Sequence, residues 1–267
     1  MDSRYNLHFV VTSNSALNLI KQTDAKNILI SFYYLKKDKK LQHAILHETD
    51  MNILIDSGLF SFFSLLKDTI TDEEIHKYCK QYQKYIKETC NLKQFKGYFE
   101  LDLDLIGKDY ETYVKPIQKS LLDITNKIVL IAQKKRTIED IIEMCEQDVE
   151  CIAIPFASDV ERQYFDYDLI TDIAHQHNKR VHLLGCADQR YLNDVEQSDS
   201  STWARASAFG EQNIMVGNEL RRFHWRDTDL ISKDDANKRS IDCVTEFLKM
   251  EKYINDNKTK KNQLRLF

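Results

Sequence analysis

The feature that most constrains the fold is a repeated alternation between short apolar runs and longer amphipathic runs. The short runs are apolar throughout, rich in Ile, Val, Leu and Phe, which is typical of parallel strands covered on both faces. Segments of helical length separate most of them, as in βα units. The predicted strands are residues 7–11, 28–34, 53–55, 97–103, 128–131, 151–154, 180–184 and a short one at 198–199.

Capping sequences mark the start of two of the intervening helices. Thr71 is followed three residues later by Glu74, and Thr137 by Asp140. In both pairs a hydroxyl and a carboxylate can satisfy backbone amides of the first helical turn. The predicted helices cover residues 71–90, 109–124, 137–146, 164–177, 189–196 and 233–254.

The number of strands and the chain length favour one architecture. Eight βα units and a length near 250 residues fit a (β/α)8 barrel of the TIM type. A doubly wound open sheet is the alternative, although no Gly-x-Gly-x-x-Gly sequence follows any strand. We therefore predict a single catalytic domain over residues 1–256. The Lys- and Asn-rich residues 257–267 are predicted to form a flexible basic tail.

Composition excludes several classes of protein. No apolar run reaches the roughly 18–20 residues that span a bilayer, and the first residues lack the pattern of a secretory signal. The six cysteines form no Cys-x-x-Cys pair, so we expect reduced thiols in a cytoplasmic protein. The net charge of −4 does not indicate nucleic-acid binding by itself, because a local basic patch decides that property.

Carboxylates recur where the predicted strands end, which is where parallel barrels carry their chemistry. Asp56 follows the third strand and Asp199 lies in the last one. Glu100, Asp102 and Asp104 alternate with apolar residues and would share one strand face, which is costly unless they line a polar cavity. Each also has a structural interpretation, since Asp-Ser-Gly is a common turn sequence and Asp199 can cap a helix.

Two carboxylates at one site are the usual equipment for cleaving a glycosidic bond. One attacks the anomeric carbon or stabilises its positive charge, and the other transfers protons. A divalent metal held by Asp102, Asp104, His182 and Asp199 is the competing interpretation. Barrel metallohydrolases usually carry paired histidines at a strand end, so we predict no metal and no other cofactor.

Several motifs resemble those of the tRNA-guanine transglycosylase superfamily, including its DNA-acting phage and bacterial branch. They are Asp-Ser-Gly at 56–58, His-Leu-Leu-Gly at 182–185 followed by an aspartate fourteen residues on, and Ser-Asp-Ser-Ser-Thr-Trp at 198–203. The carboxylates of 100–104 lie where that family places a base-recognising aspartate. The resemblance spans about residues 53–210, and the order and spacing of the motifs agree.

The resemblance implies a barrel enzyme with a double-displacement mechanism. Asp199 would attack C1′ of a nucleotide, and Asp56 would protonate the leaving base and later act as the general base. Asp102 or Asp104 would bind the edge of a base that has left the stack. Further residues expected around the base are Ser57, Gly58, Phe156, Gly185 and Trp203, with Phe60 as another candidate ring.

The chain also departs from the family in two regions. The segment after the barrel has no cysteine, so the zinc subdomain of the tRNA enzymes is absent. The Gly-Gly-Leu loop that reads guanine is replaced by Ile-Pro-Phe-Ala-Ser-Asp at 154–159, and its proline removes a backbone donor. The expected target is therefore a base other than guanine, in DNA rather than tRNA.

Basic residues supply candidate contacts to the nucleic-acid backbone. Three arginines cluster near residues 221–226 with His224 and Trp225 between them, and another flanks the predicted nucleophile. A solvated helix face is the alternative for the cluster. The predicted phosphate contacts are Arg205, Arg221, Arg222 and Arg226.

These observations lead to a DNA glycosylase hypothesis. The chain would excise a modified base and leave an abasic site, as in defence against phages with modified DNA. A base-exchanging DNA or tRNA transglycosylase is the first alternative. A barrel that binds nucleic acid without catalysis is the second, and a metal-dependent hydrolase is the third.

Overall fold

Eight parallel strands close into a barrel in the computed structural model, which describes residues 4–66, 70–134, 136–156, 166–204, 211–224 and 233–264. Each strand pairs with the next along the chain, and β8 pairs with β1 to close the ring. This confirms the (β/α)8 prediction over the open sheet. The strands are β1 (Asn6–Val11), β2 (Asn27–Ser31), β3 (Asn52–Asp56), β4 (Phe95–Phe99), β5 (Ile128–Ile131), β6 (Cys151–Pro155), β7 (Arg180–Leu184) and β8 (Gln197–Ser200).

Helices alternate with these strands and lie outside the barrel. The capping boxes at Thr71 and Thr137 both form, so the two predicted helix starts are confirmed. The helices among the described residues are α1 (Asn14–Ile20), α2 (Phe32–Lys37), α3 (Lys39–Leu46), α4 (Leu59–Leu66), α5 (Asp72–Thr89), α6 (Lys115–Leu122), α7 (Ile138–Glu146), α8 (Tyr167–Gln176) and α9 (Lys233–Leu264).

The strands separate two apolar clusters, because successive side chains of a strand point to opposite faces. One large cluster lies between the barrel wall and the helices. A smaller cluster lies in the barrel interior. Its members are Leu29, Leu54, Phe99, Val129, Ile131, Cys151 and Ala153.

An asparagine ladder lines the amino-terminal end of the barrel. The amide of Asn52 donates to Oδ1 of Asn27 at 2.9 Å, and the amide of Asn27 donates to Oδ1 of Asn6 at 3.4 Å. These residues occupy the starts of three adjacent strands. The active sites of such barrels lie at the opposite, carboxyl-terminal end of the strands, so we assign the ladder a structural role.

Several predicted boundaries are wrong. Strand β4 ends at Phe99, and the chain then turns into a 3-10 helix at Leu103–Ile106, so Glu100, Asp102 and Asp104 do not share a strand face. The segment predicted as strand 28–34 turns into helix α2 after Ser31. In place of helix 189–196 there is only a short 3-10 turn at Gln189–Tyr191.

The chain after the barrel differs from prediction as well. Strands β9 (Glu211–Val216) and β10 (Glu219–His224) form an antiparallel hairpin, so Arg221 and Arg222 lie on a strand and not on a helix face. Helix α9 continues to Leu264, ten residues beyond the predicted end at 254 and through most of the segment expected as a tail.

The structure bears on two further expectations. Within the described part of the chain, every helix is too short or too polar to span a lipid bilayer. Five of the six cysteines are buried, and burial raises the pKa of the Cys79 and Cys145 thiols to about 11. These two thiols therefore stay protonated at neutral pH and act as core side chains.

Candidate active site

Four aspartates surround the carboxyl-terminal end of the barrel, and we call this region the barrel mouth. Asp56 is the last residue of β3 and Asp199 lies in β8. Asp102 and Asp104 follow the end of β4. The carboxylates are close enough to influence one another, since Asp199 raises the pKa of Asp56 and Asp56 raises the pKa of Asp102. The sequence prediction that Asp56 and Asp199 belong to one end of one barrel is confirmed.

Asp199 is held by two donors that bind the same carboxylate oxygen. The imidazole Nε2 of His182 lies 3.0 Å from Oδ1, and the backbone N–H of Gly185 donates to Oδ1 at 2.9 Å. Only 6% of Asp199 is exposed. No group among the described residues hydrogen-bonds to Oδ2. The two oxygens of this buried carboxylate therefore differ, since the described part of the chain supplies hydrogen-bond donors to Oδ1 alone.

Asp56 has a different environment from Asp199. Burial, and then the negative charge of Asp199, raise the pKa of Asp56 to about 6. The backbone N–H of Gly58 donates to its Oδ2 at 3.0 Å, which opposes part of this shift. About a tenth of the Asp56 carboxyl groups therefore carry a proton at pH 7, against about a thousandth for an aspartate with the ordinary pKa near 4.

Two tyrosines of α5 bind the ends of β3 and β4. Asp56 is the last residue of β3, and Asp102 follows β4. The hydroxyl of Tyr78 donates to the carbonyl of Ser57 at 2.7 Å. The hydroxyl of Tyr82 lies 2.7 Å from the carbonyl of Phe99 and 3.2 Å from that of Ile55. Both rings are buried, so they hold the Asp-Ser-Gly turn against β4.

Gly58 is required by its position, and its replacement is expected to destabilise the fold. Its φ is +72°, and an added Cβ would lie 2.4 Å from Oγ of Ser31 and 2.7 Å from the backbone N of Tyr33. We expect Gly58→Ala to cost about 2–5 kcal/mol of unfolding free energy, from left-handed strain and overpacking together.

Gly107→Ala is the matched control, because Gly107 also has a positive φ, +80°, but open space around it. Its expected cost is about 1–2 kcal/mol. Urea unfolding of both variants measures the difference, and equal losses would contradict the close approach at Gly58.

The carboxylates after β4 bind a buried arginine. Nη1 of Arg136 donates to Oε1 of Glu100 at 2.9 Å, and its Nε to Oδ2 of Asp104 at 3.3 Å. The side chains of Arg136 and Glu100 are 1% and 0% exposed. Oε2 of Glu100 accepts from the amide of Gln118. The ring of Tyr110 lies 4.6 Å from the guanidinium carbon. Glu100 and Asp104 are thus tied to the loop after β5 by charge pairing.

No cation of the described residues pairs with Asp102, and burial is the main influence on its pKa. Burial raises its pKa well above the usual range, and the negative charges of Asp56 and Glu100 add to the effect. The amide of Gln133 donates to its Oδ2 at 2.8 Å. A protonated carboxyl has both a donor and an acceptor, which suits the recognition of a polar ligand edge.

Two aromatic residues predicted to contact the base lie away from the barrel mouth. Trp203 is 1% exposed, packs in the core outside the barrel wall, and donates from Nε1 to the carbonyl of Val10 at 3.1 Å. Phe156 contacts the edge of Tyr191 and lines a cavity of about 350 Å³ beside Leu183, on the helix side of β7. Phe60 belongs to α4, and its side chain lies outside the described residues.

The predicted phosphate contacts divide into two groups. Arg205 and Arg226 lie outside the described residues. Arg221 pairs with Glu219 at 2.9 Å and Arg222 with Glu211 at 3.6 Å, with both arginines more than half exposed. Such surface pairs contribute little free energy, so both guanidinium groups are accessible to another anion.

The four residues of the metal alternative do not converge. His182 pairs with Asp199, whereas Asp104 pairs with Arg136. The described residues contain no group of three or more His, Cys, Asp or Glu side chains arranged to hold a metal ion.

Arg136 and Gln133 are site residues that the sequence analysis did not identify. Both follow strand β5, at the same end of the barrel as the aspartates. They could have been identified from their position after a predicted strand, since parallel strands bring all such positions to one end of the barrel. Their polarity alone gave no reason to prefer them over the neighbouring lysines.

Comparisons with known proteins bear on the fold. Neither a protein-family model nor a curated protein sequence matches this chain. Among solved structures it is similar to a "putative fructose-1,6-biphosphate aldolase" from Coccidioides immitis, with a TM-score of 0.51 and 10% identity over 95% of this chain and 88% of that chain. A protein from Aquifex aeolicus VF5 gives a TM-score of 0.49 and 11% identity, covering 94% of this chain and 92% of that chain. At 10% identity the likeness establishes the eight-stranded barrel fold and leaves the chemistry to the site residues.

Proposed function

We propose that this protein is an enzyme that cleaves the N-glycosidic bond of a base in DNA. The observation that carries the proposal is the contrast between two aspartates at the barrel mouth. Asp199 accepts two hydrogen bonds at Oδ1, whereas Oδ2 accepts none from the residues that the structure describes. Asp56, with its pKa near 6, is able to give up a proton at neutral pH. In enzymes that cleave glycosidic bonds, the nucleophilic carboxylate and its acid partner typically have environments that give them different pKa values.

The chemical step uses these two groups in sequence. Oδ2 of Asp199 attacks C1′ of the target nucleotide, and the C1′–N bond breaks with its electron pair passing to the base. The base takes the proton of Asp56, because a base leaves poorly as an anion. Water then attacks C1′, the Asp199 carboxylate departs, and the water gives its proton to Asp56. The products are a free base and an abasic sugar, and Asp56 is protonated again.

The residues around the pair support an extruded base as the ligand. Asp102 and Gln133 present donors and acceptors next to Asp56, and a flipped base is recognised by hydrogen bonds to its polar edge. The exposed Arg221 and Arg222 of the β9–β10 hairpin are candidate contacts to phosphate. The Ile-Pro-Phe segment at 154–156, in place of a glycine loop, favours a modified base over guanine.

The proposal is tested by incubating the protein with unmodified DNA, phage DNAs with modified bases, and tRNA. Mass spectrometry detects released bases and an aldehyde-reactive probe counts abasic sites. We expect a free base and one abasic site for each base released, with or without EDTA. Release that requires a second base and leaves no abasic site would instead identify a transglycosylase. Binding of DNA without any release would favour the non-catalytic barrel, and loss of release in EDTA the metal-dependent hydrolase.

The rate of base release is expected to fall as pH rises through about 6. Asp56 acts as the acid only while protonated, and its raised pKa of about 6 sets the midpoint. Above that pH, kcat/KM should drop by about tenfold per pH unit, because the protonated fraction drops in that proportion. Initial rates between pH 5 and 8.5 measure the profile. A profile that stays flat across this range would exclude Asp56 as the proton donor. Asp56→Asn should lower the rate sharply and leave a residual rate without this pH dependence.

A further inference from the structure

His182 is a buried polar residue that the proposed chemistry does not yet use. It projects from the centre of β7 into the barrel and is 0% exposed. Its Nε2 lies 3.0 Å from Oδ1 of Asp199, and its Nδ1 lies 3.4 Å from the carboxamide oxygen of Gln197. Gln197 and Asp199 are alternate residues of β8 and so lie on the same face of that strand. Both ring nitrogens therefore face one strand.

The ring of His182 is also held by packing. The ring of Phe99 from β4 forms a T-shaped pair with it at a centroid distance of 5.0 Å, and the ring of His8 from β1 lies 5.7 Å away. Burial, with a further contribution from His182, lowers the pKa of His8 to about 3, so His8 is neutral. A ring enclosed in this way keeps one orientation, which gives its hydrogen bond to Asp199 a fixed direction.

We propose that His182 is a positioning residue that fixes the Asp199 carboxylate for attack on C1′. An ionised carboxylate only accepts hydrogen bonds, so Nε2 is the donor in this pair. Together with the Gly185 N–H, it binds Oδ1 and stops rotation of the carboxylate, which keeps Oδ2 toward the barrel mouth. The inference rests on the proposed function, because it assigns a role in that reaction.

The same two donors assist the second half of the reaction. When water displaces the sugar from Asp199, negative charge returns to the carboxylate. N–H groups already placed at Oδ1 stabilise that charge without reorganisation. A displacement of the carboxylate by about 1 Å costs on the order of 10²-fold in rate. We therefore expect loss of the donor to lower kcat much more than it raises KM.

Three variants test the role. His182→Leu removes the donor and is expected to lower kcat by about 10²-fold with little change in KM. His182→Gln restores an N–H near the position of Nε2 and should recover most of that loss. Gln94→Leu is the matched control, because Gln94 is also a buried side chain that donates a hydrogen bond, to the carbonyl of Leu46 at 3.1 Å, but it precedes β4 at the amino-terminal end of the barrel. Its kcat should stay near that of the wild type. An unchanged kcat in His182→Leu, or a Gln variant no better than Leu at equal thermal stability, would overturn the proposal.

A spectroscopic measurement separates this inference from the proposed function. In protein labelled with ¹⁵N-histidine, long-range ¹⁵N–¹H spectra should show His182 protonated at Nε2, with a downfield N–H proton that is lost in Asp199→Ala. Protonation at Nδ1 alone would overturn the inference even if the protein releases a base. If the wild type releases no base from any nucleic acid, the proposed function fails, and an absent downfield proton would overturn the hydrogen bond as well.

Discussion

Asp199→Asn is expected to abolish base release, with a fall in kcat of roughly 10⁴-fold or more, as for removal of a nucleophile that acts within a catalytic unit. The amide is nearly the same shape as the carboxylate. Its oxygen can still accept from His182 and from the Gly185 N–H, which both bind Oδ1 in the wild type. What the variant lacks is the negatively charged oxygen that attacks C1′. DNA binding should therefore persist while chemistry stops.

Single-turnover release of the base from labelled DNA measures the effect, with gel-shift binding in parallel. Glu251→Gln is the matched control, because this carboxylate accepts from the Leu7 N–H at 3.0 Å, outside the barrel mouth. Its release rate should equal that of the wild type. Release at the wild-type rate by Asp199→Asn would exclude Asp199 as the nucleophile, whereas loss of DNA binding would assign it to binding instead.

Arg136→Met is expected to destabilise the protein by about 3–5 kcal/mol, the usual cost of breaking a buried ion pair. The side chains of Arg136 and Glu100 are both essentially inaccessible. Removing the guanidinium leaves Glu100 with a buried charge whose remaining donors, within the described ranges, are the Gln118 amide and the backbone N–H of Ile131. Asp104 loses its single charged partner among the described residues as well.

Urea unfolding followed by circular dichroism measures this loss. The control is the double variant Arg136→Met/Glu100→Gln, in which the uncompensated charge of Glu100 is absent and that of Asp104 remains. It should recover a large part of the stability lost in the single variant, because the cost arises from the unpaired carboxylate and not from the missing arginine. A single-variant loss below about 1 kcal/mol, or no recovery in the double variant, would contradict the buried pair.

Much of the fold was predictable because it depends on local patterns. Short apolar runs separated by amphipathic ones specify strands and helices in order, and the Thr71 and Thr137 capping boxes formed where predicted. Boundaries were less predictable. Apolar residues continue past Phe99 and Ser31, so the sequence pattern does not stop where the strands stop. Hydrogen bonding to neighbouring strands decides those ends.

The candidate site was predictable only in part. Asp56 and Asp199 were identified because each lies at the end of a predicted strand. Trp203 was expected near the base from the family resemblance, and yet its ring packs in the core and donates to the carbonyl of Val10. Position along the chain does not specify the face toward which a side chain points. That face depends on the strand register and on the packing of neighbouring elements.

The sequence by itself determined the barrel and the end of it that carries carboxylates, because strand order and the direction of parallel strands follow from local patterns. Only the tertiary structure decided which side chains meet. Arg136 reaches Glu100 across 36 positions of the chain and His182 reaches Asp199 across 17. The His182 contact holds the Asp199 carboxylate, and burial together with the charge of Asp199 raises the pKa of Asp56, since burial and the charges of neighbours set the properties of an ionisable group.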